Sequence, residues 1–221
     1  MPHQSADWFA MTSLSVRFPV CSDMLLEGII MNLILASASP RRQELLKLFG
    51  VPFTVRVADI DETMDLTRPA YDEVARVSRL KALAIPRNDG DVVIAADTIV
   101  VCEGRVLGKP KDEADAVATL QLLSGRDHQV MTGCTVLSGD HCESFTEVTD
   151  LHFRELSRKE IDRYVASGEP MDKAGSYGIQ GGAALFCTHM VGDYYNVMGL
   201  PVCALGLTLK RLAPQLMEET L

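Results

Sequence analysis

The sequence predicts an α/β domain: a mixed sheet flanked by helices. Strand and helix patterns alternate through the first half, an almost wholly apolar run marks a buried central strand, and hairpin signals appear later in the chain. Asn32–Ala36 reads as the first strand, and Arg41–Phe49 as a helix stopped by Gly50. Phe53–Val57 reads as a strand and Tyr71–Ile85 as a helix, followed by a Pro86/Asn88-Asp-Gly90 loop. Val92–Val101 is the buried strand, and Asp112–Leu123 a helix ending before Gly125. Gln129–Leu137 and Glu143–Phe153 flank Ser138-Gly-Asp-His141 as a hairpin. Ser157-Arg-Lys-Glu160 has the form of a capping box, opening a helix that runs to Ser167. Ala183–Val191 and Tyr194–Val197 flank Gly192-Asp193 as a second hairpin, and Pro201 starts a terminal helix.

The first thirty residues lack helical or strand periodicity and fit neither a secretory leader nor a mitochondrial presequence. Met31 is expected to open the folded domain, with residues 1–30 an extension and residues 31–221 a single domain. Among 221 residues, 21 basic and 30 acidic side chains give a net charge of −9, which disfavours a nucleic-acid polymer as partner but not a small anion in a local basic pocket. No stretch approaches the ~18 apolar residues needed to span a membrane. The six cysteines form no C-x-x-C pair and read as reduced, buried thiols of a cytoplasmic protein.

Several residues are costly for packing alone. In Ser37-Ala-Ser-Pro-Arg-Arg42, Ser39 suits an N-cap and Pro40 the first helical turn. Arg41 and Arg42 then stand where the helix dipole disfavours cations, unless an anion such as phosphate joins them. The alternative is solvated arginines pairing with Glu44 or a loop. Asp97 interrupts the apolar strand, where an ionised carboxylate needs a partner, a metal or a chemical role, or else a strand-end position satisfied by backbone N–H groups.

Lys81 follows Val74 and Val77 at helical spacing, so it points inward or snorkels outward. Lys109 follows a glycine turn that lacks Walker spacing; it can face phosphates from that turn. Asp61-Glu62 supplies further carboxylates, and Glu62 with Asp97 could hold a divalent cation if the fold joins them; surface acids are the commoner fate. Asp172-Lys-Ala-Gly-Ser-Tyr-Gly-Ile-Gln-Gly-Gly182 is too differently spaced for a dinucleotide fingerprint. Its Gln180 offers the donor and acceptor that reading a uracil or thymine edge requires; otherwise the segment is a long turn.

With Lys81-Ala82, Ala96-Asp97-Thr98, Gly108-Lys109-Pro110 and Val197-Met-Gly-Leu-Pro201, these segments in this order resemble the Maf family of nucleotide pyrophosphatases over roughly Leu33 to Leu209. The resemblance implies a fold related to inosine-triphosphate pyrophosphatases, a mixed twisted sheet flanked by helices with two lobes around a substrate groove, and hydrolysis between the α and β phosphates, with Mg²⁺ or Mn²⁺ as cofactor. It implies Asp97 as proton acceptor, with Ser39, Arg42, Lys81 and Lys109 handling phosphate and Glu62 as the second acid. Arg41, Thr98 and Gln180 match the branch that prefers dTTP and UTP. The family also implies a homodimer. Gly181-Gly182-Ala183-Ala184 departs locally from the family pattern. Two other readings remain: a nucleotide-binding regulator of cell division, and a purine-type pyrophosphatase for non-standard nucleotides.

Overall fold

The computed structural model describes residues 31–218; the expectation for residues 1–30 lies outside them. Seven strands form one sheet in the order β2-β1-β3-β5-β6-β7, with β4 also paired to β3. They are β1 (Leu33–Leu35), β2 (Phe53–Val55), β3 (Val92–Cys102), β4 (Arg105–Leu107), β5 (Asp127–Ser138), β6 (His141–Phe153) and β7 (Cys187–Val191). β1 runs parallel to β2 and β3, whereas β3, β5, β6 and β7 are successively antiparallel. The α/β class and mixed sheet are as the sequence leads one to expect.

The two-residue period of the central strands divides the core. Leu33, Leu35, Val92, Ile94, Ala96 and Val100 face the larger apolar cluster. That cluster includes residues of α1 (Pro40–Leu46), α3 (Glu113–Leu123), α4 (Arg158–Ala166), α5 (Tyr194–Met198) and α6 (Val202–Leu212). Ile34, Ala36, Val93, Ala95 and Ile99 face the other way, toward α2 (Ala70–Leu83), where Val74 and Ala82 are buried. Asp97 therefore belongs to the α2 face and Thr98 to the larger core.

Gly133 of β5 pairs with Asp97, and a Cβ there would overlap the carbonyl of Val74 on α2. The missing side chain lets α2 lie directly against the sheet. On the opposite edge of β3, β1 pairs as far as Ile94, with Ala36 N–H donating to the Ile94 carbonyl, and β4 pairs only from Val100. Between them Ala96–Ile99 has no strand neighbour on that edge among the described residues, which opens the sheet where β1 ends.

Tyr194–Met198 is helical, which corrects the second hairpin. Asp193 Oδ1 accepts from Tyr195 N–H at 2.7 Å, and Gly199 (φ 109°) ends the turn. Buried Asn196 then anchors this helix to the sheet through the Val130 carbonyl and Thr149 Oγ1. Local capping outweighed the apparent turn at Gly192-Asp193. The preceding segment is strand only over Cys187–Val191, because Gly182–Leu185 forms a 3₁₀ turn. β4 falls where the sequence suggested only a glycine turn, and β2 ends at Val55.

Candidate active site

The opening at the end of β1 gathers groups from both faces of the sheet. On the larger-core side, Ser39 takes the extended N-cap conformation before Pro40, and its Oγ accepts from Arg42 N–H at 3.5 Å. The first turn of α1 therefore carries both arginines, and Arg42 is the one that reaches the opening. Arg42 reaches three separate acceptors: Nε donates to the Gly199 carbonyl (2.8 Å), Nη1 to Ser37 Oγ (3.2 Å) and Nη2 to Thr98 Oγ1 (3.0 Å). Thr98 Oγ1 in turn lies 3.0 Å from Thr132 Oγ1, which donates to the Asn196 carbonyl.

A guanidinium has five N–H donors, so this fixed fork keeps N–H groups for a further anion. Burial pulls the Arg42 guanidinium below its ordinary pKa, and the Asp97 carboxylate is the largest opposing influence. Arg41 turns the other way, with Nη1 3.4 Å from Asp172 Oδ2.

On the α2 side, Lys81 Nζ donates to Asp97 Oδ1 at 2.7 Å and lies 2.8 Å from Glu62 Oε2. The Lys81 and Asp97 side chains are only 13% and 14% exposed, so the lysine turns inward and the acid is paired rather than bare. Glu62 sits on the irregular segment between β2 and α2. Buried Glu73 accepts from Asp65 N–H and from Arg76, and Arg76 Nη2 donates to the Thr63 carbonyl, which holds this segment against α2. Asp61 braces its own loop, with Oδ1 accepting from Thr63 N–H, and bonds from Thr63 hold its carboxyl below the usual range.

Asp97, Lys81 and Glu62 are thus brought together, and Arg42 is linked electrostatically to both acids. Lys109 and Gln180 are not joined to them: both are exposed. Lys109 follows β4, where the Gly108 carbonyl accepts from Gly175 N–H at 3.0 Å. That bond places it beside the glycine-rich segment whose Asp172 pairs with Arg41. Ser37, Thr132, Asn196, Gly199 and Asp172 support the site without having been singled out as site residues. Ser37 and Asp172 lay inside motifs already marked, whereas the Thr132 and Asn196 contacts depend on long-range register.

Among the described residues no cluster of three or more His, Cys, Asp or Glu side chains could hold a metal. Two carboxylates converging on one cation, here the Lys81 ammonium, nevertheless fit a Mg²⁺-type ion. Such ions commonly take one or two carboxylates and complete their shell with water and phosphate oxygens.

Fold and site together define an α/β protein with a carboxylate–lysine centre beside Arg42 at the open end of its sheet. Residues 32–212 match the family model described as Maf-like protein, and the chain belongs to that family. A dTTP/UTP pyrophosphatase of Bacillus cereus (strain AH820) is 50% identical over 181 residues, covering 81% of this chain and 95% of that protein. One from Bacillus anthracis (strain CDC 684 / NRRL 3495) is 49% identical over the same coverage. Among solved structures, a HAM1 protein from Coxiella burnetii aligns with 82% of this chain and 100% of its own, at 15% identity and a TM-score of 0.45. No helix among the described residues is long and apolar enough to cross a membrane.

Proposed function

We propose that this chain is a nucleoside triphosphate pyrophosphatase. It hydrolyses dTTP and UTP, and modified uridine triphosphates of the same edge chemistry, to the monophosphate and pyrophosphate as a housecleaning activity in the cytoplasm. The observation that carries the reading is the placement of Asp97 against Lys81 and Glu62, at the opening that Arg42 also enters. The names of relatives about 50% identical over most of the chain support the substrate class.

In this mechanism Arg41, Arg42, Lys81 and Lys109 neutralise the triphosphate, and Ser39 contributes its hydroxyl. Arg41 exchanges Asp172 for phosphate, and Arg42 is pre-set by Thr98, Ser37 and Gly199. Lys81 engages Asp97 Oδ1, and Asp97 accepts the proton of the water that attacks the α-phosphorus, while pyrophosphate leaves. Glu62 and Asp97 would hold the divalent cation. When bound, such an ion offsets phosphate charge and lowers the cost of charge developing on the bridging oxygen. Gln180 reads the pyrimidine edge with one donor and one acceptor.

Incubation with a panel of nucleoside triphosphates, Mg²⁺ or Mn²⁺, and pyrophosphate detection tests the reading. Pyrophosphate from dTTP and UTP in preference to purine nucleotides is the expected result. Nucleotide affinity without turnover points to a regulator, and purine preference to a different sanitising specificity; either outcome overturns the reading.

A further inference from the structure

The glycine segment that carries Gln180 is held from behind by a single carboxylate. Glu169 lies in a 3₁₀ turn (Glu169–Asp172) after α4. Its Oε1 accepts from the Tyr164 hydroxyl at 2.9 Å, and its Oε2 from Gly182 N–H at 3.1 Å. The same Tyr164 hydroxyl accepts from Gly178 N–H at 3.0 Å. The turn is therefore tied on both sides of Gln180: at Gly178 through the phenol, and at Gly182 directly. The turn closes on itself through Gly181 N–H and the Gly178 carbonyl at 3.0 Å.

Space gives an independent observation. A Cβ on Gly181 would overlap the Glu169 carboxylate, and one on Gly178 would stand 2.8 Å from Lys173 Cε. A side chain at Gly181 would have to displace the Glu169 carboxylate that now fills its place. Tyr164 is buried and stacks edge-on with Phe186. Burial raises its phenol pKa, so the hydroxyl keeps the proton it donates to Glu169. Glu169 also reaches toward the phosphate side. Its main-chain carbonyl accepts from Lys173 Nζ at 2.5 Å, and Lys173 Nζ donates to Asp172 Oδ1 at 2.6 Å. Asp172 is the partner of Arg41.

We propose that Glu169 is a specificity-positioning residue, whose carboxylate fixes the 178–182 turn in the shape that presents Gln180 to the pyrimidine. It touches neither base nor phosphate itself. The inference rests on Gln180 reading the base, and adds the residue that sets how it does so. Glu169→Gln preserves volume but places an amide donor or a weaker acceptor against Gly182 N–H. Losing a charged acceptor there loosens the turn without removing any phosphate-binding group.

The test is discrimination between UTP and CTP, and between dTTP and dCTP, as ratios of kcat/KM for wild type, E169Q, Q180A and the double variant. E169Q is expected to lower the ratios about tenfold, mainly through KM for the preferred nucleotide. In the Q180A background it should lower them no further. If Q180A shifts the ratios while E169Q leaves them intact, or adds its full effect to Q180A, the positioning role is overturned and base reading by Gln180 stands. If Q180A leaves the ratios intact, base reading itself fails, and the inference with it. Should E169Q not fold, Y164F carries the test: it removes the phenolic tie to Gly178 and Glu169, and wild-type ratios in that variant would overturn the proposal.

Discussion

Lys81 and Asp97, sixteen residues apart in sequence, meet at 2.7 Å because a helix lies directly on a strand. The strand period puts Asp97 on the same face as Ala95 and Ile99, and the bare Gly133 beside it admits the α2 backbone. A carboxylate that would be costly among apolar neighbours is thereby paired at the stretch of β3 where, among the described residues, the sheet is open.

Asp97→Asn keeps the shape and an oxygen for Lys81 but removes the base. Turnover of dTTP and UTP should fall by roughly 10²–10⁴ on general-base magnitudes, with circular dichroism unchanged. Near-normal kcat in the folded variant would remove Asp97 from that role.

Arg42→Lys should cost at least about tenfold in kcat/KM and lower Tm. A single ammonium cannot reach Ser37, Thr98 and Gly199 together as the guanidinium does. Thr98→Val deletes one of those acceptors and should cost less, about 0.5–1.5 kcal/mol. Denaturant unfolding of both variants checks the ranking, and an R42K protein as stable and active as wild type would show that the fork is dispensable.

Gly133→Ala should destabilise by about 1–3 kcal/mol or more, because the added methyl meets backbone rather than a movable side chain. The shift of α2 should also draw Lys81 from Asp97, so kcat and Tm fall together. Gly108→Ala, where a Cβ meets nothing within 4 Å, provides the comparison and should leave Tm unchanged.

Acid stability should depend on His128, which is buried against Phe153 and Tyr177 with Nε2 2.9 Å from the Tyr177 hydroxyl. Burial lowers its pKa from 6.5 to about 4, an effect that a hydrogen bond with the Arg126 backbone and, less, the Asp127 carboxylate oppose only in part. As pH falls below about 6.5 the unfolded chain takes up the proton before the folded one, so stability declines down to about pH 4 and then levels. His128→Gln should lose that component of the slope, whatever its absolute stability. Tm measured from pH 8 to 4 reads the difference, and an identical slope in both proteins would clear His128 of the effect.

Motif chemistry and residue period made much of this site legible. Asp97 stood out because charge is expensive in an apolar strand, and Arg41 and Arg42 because cations oppose a helix N-terminus. Lys81 fell on the apolar stripe of its helix, which left inward and snorkelling readings open, and the fold turns it inward. Partners remote in sequence were not legible. That Thr132 and the Asn196 carbonyl brace Thr98 depends on β3–β5 register and on where α5 docks. Tyr194–Met198 was misread because Asp193 is equally at home in a hairpin turn and as a helix cap. Glu169 carried no signal, since a carboxylate before a proline reads as ordinary surface until the glycine turn is folded over it.

The most direct test of the account is hydrolysis of UTP in ¹⁸O-labelled water, with mass analysis of both products. Attack at the α-phosphorus, with Asp97 accepting the water proton, predicts one labelled oxygen in UMP and none in pyrophosphate, and the same labelling formed roughly 10²–10⁴-fold more slowly with D97N. Label in pyrophosphate, or release of orthophosphate in its place, would contradict it.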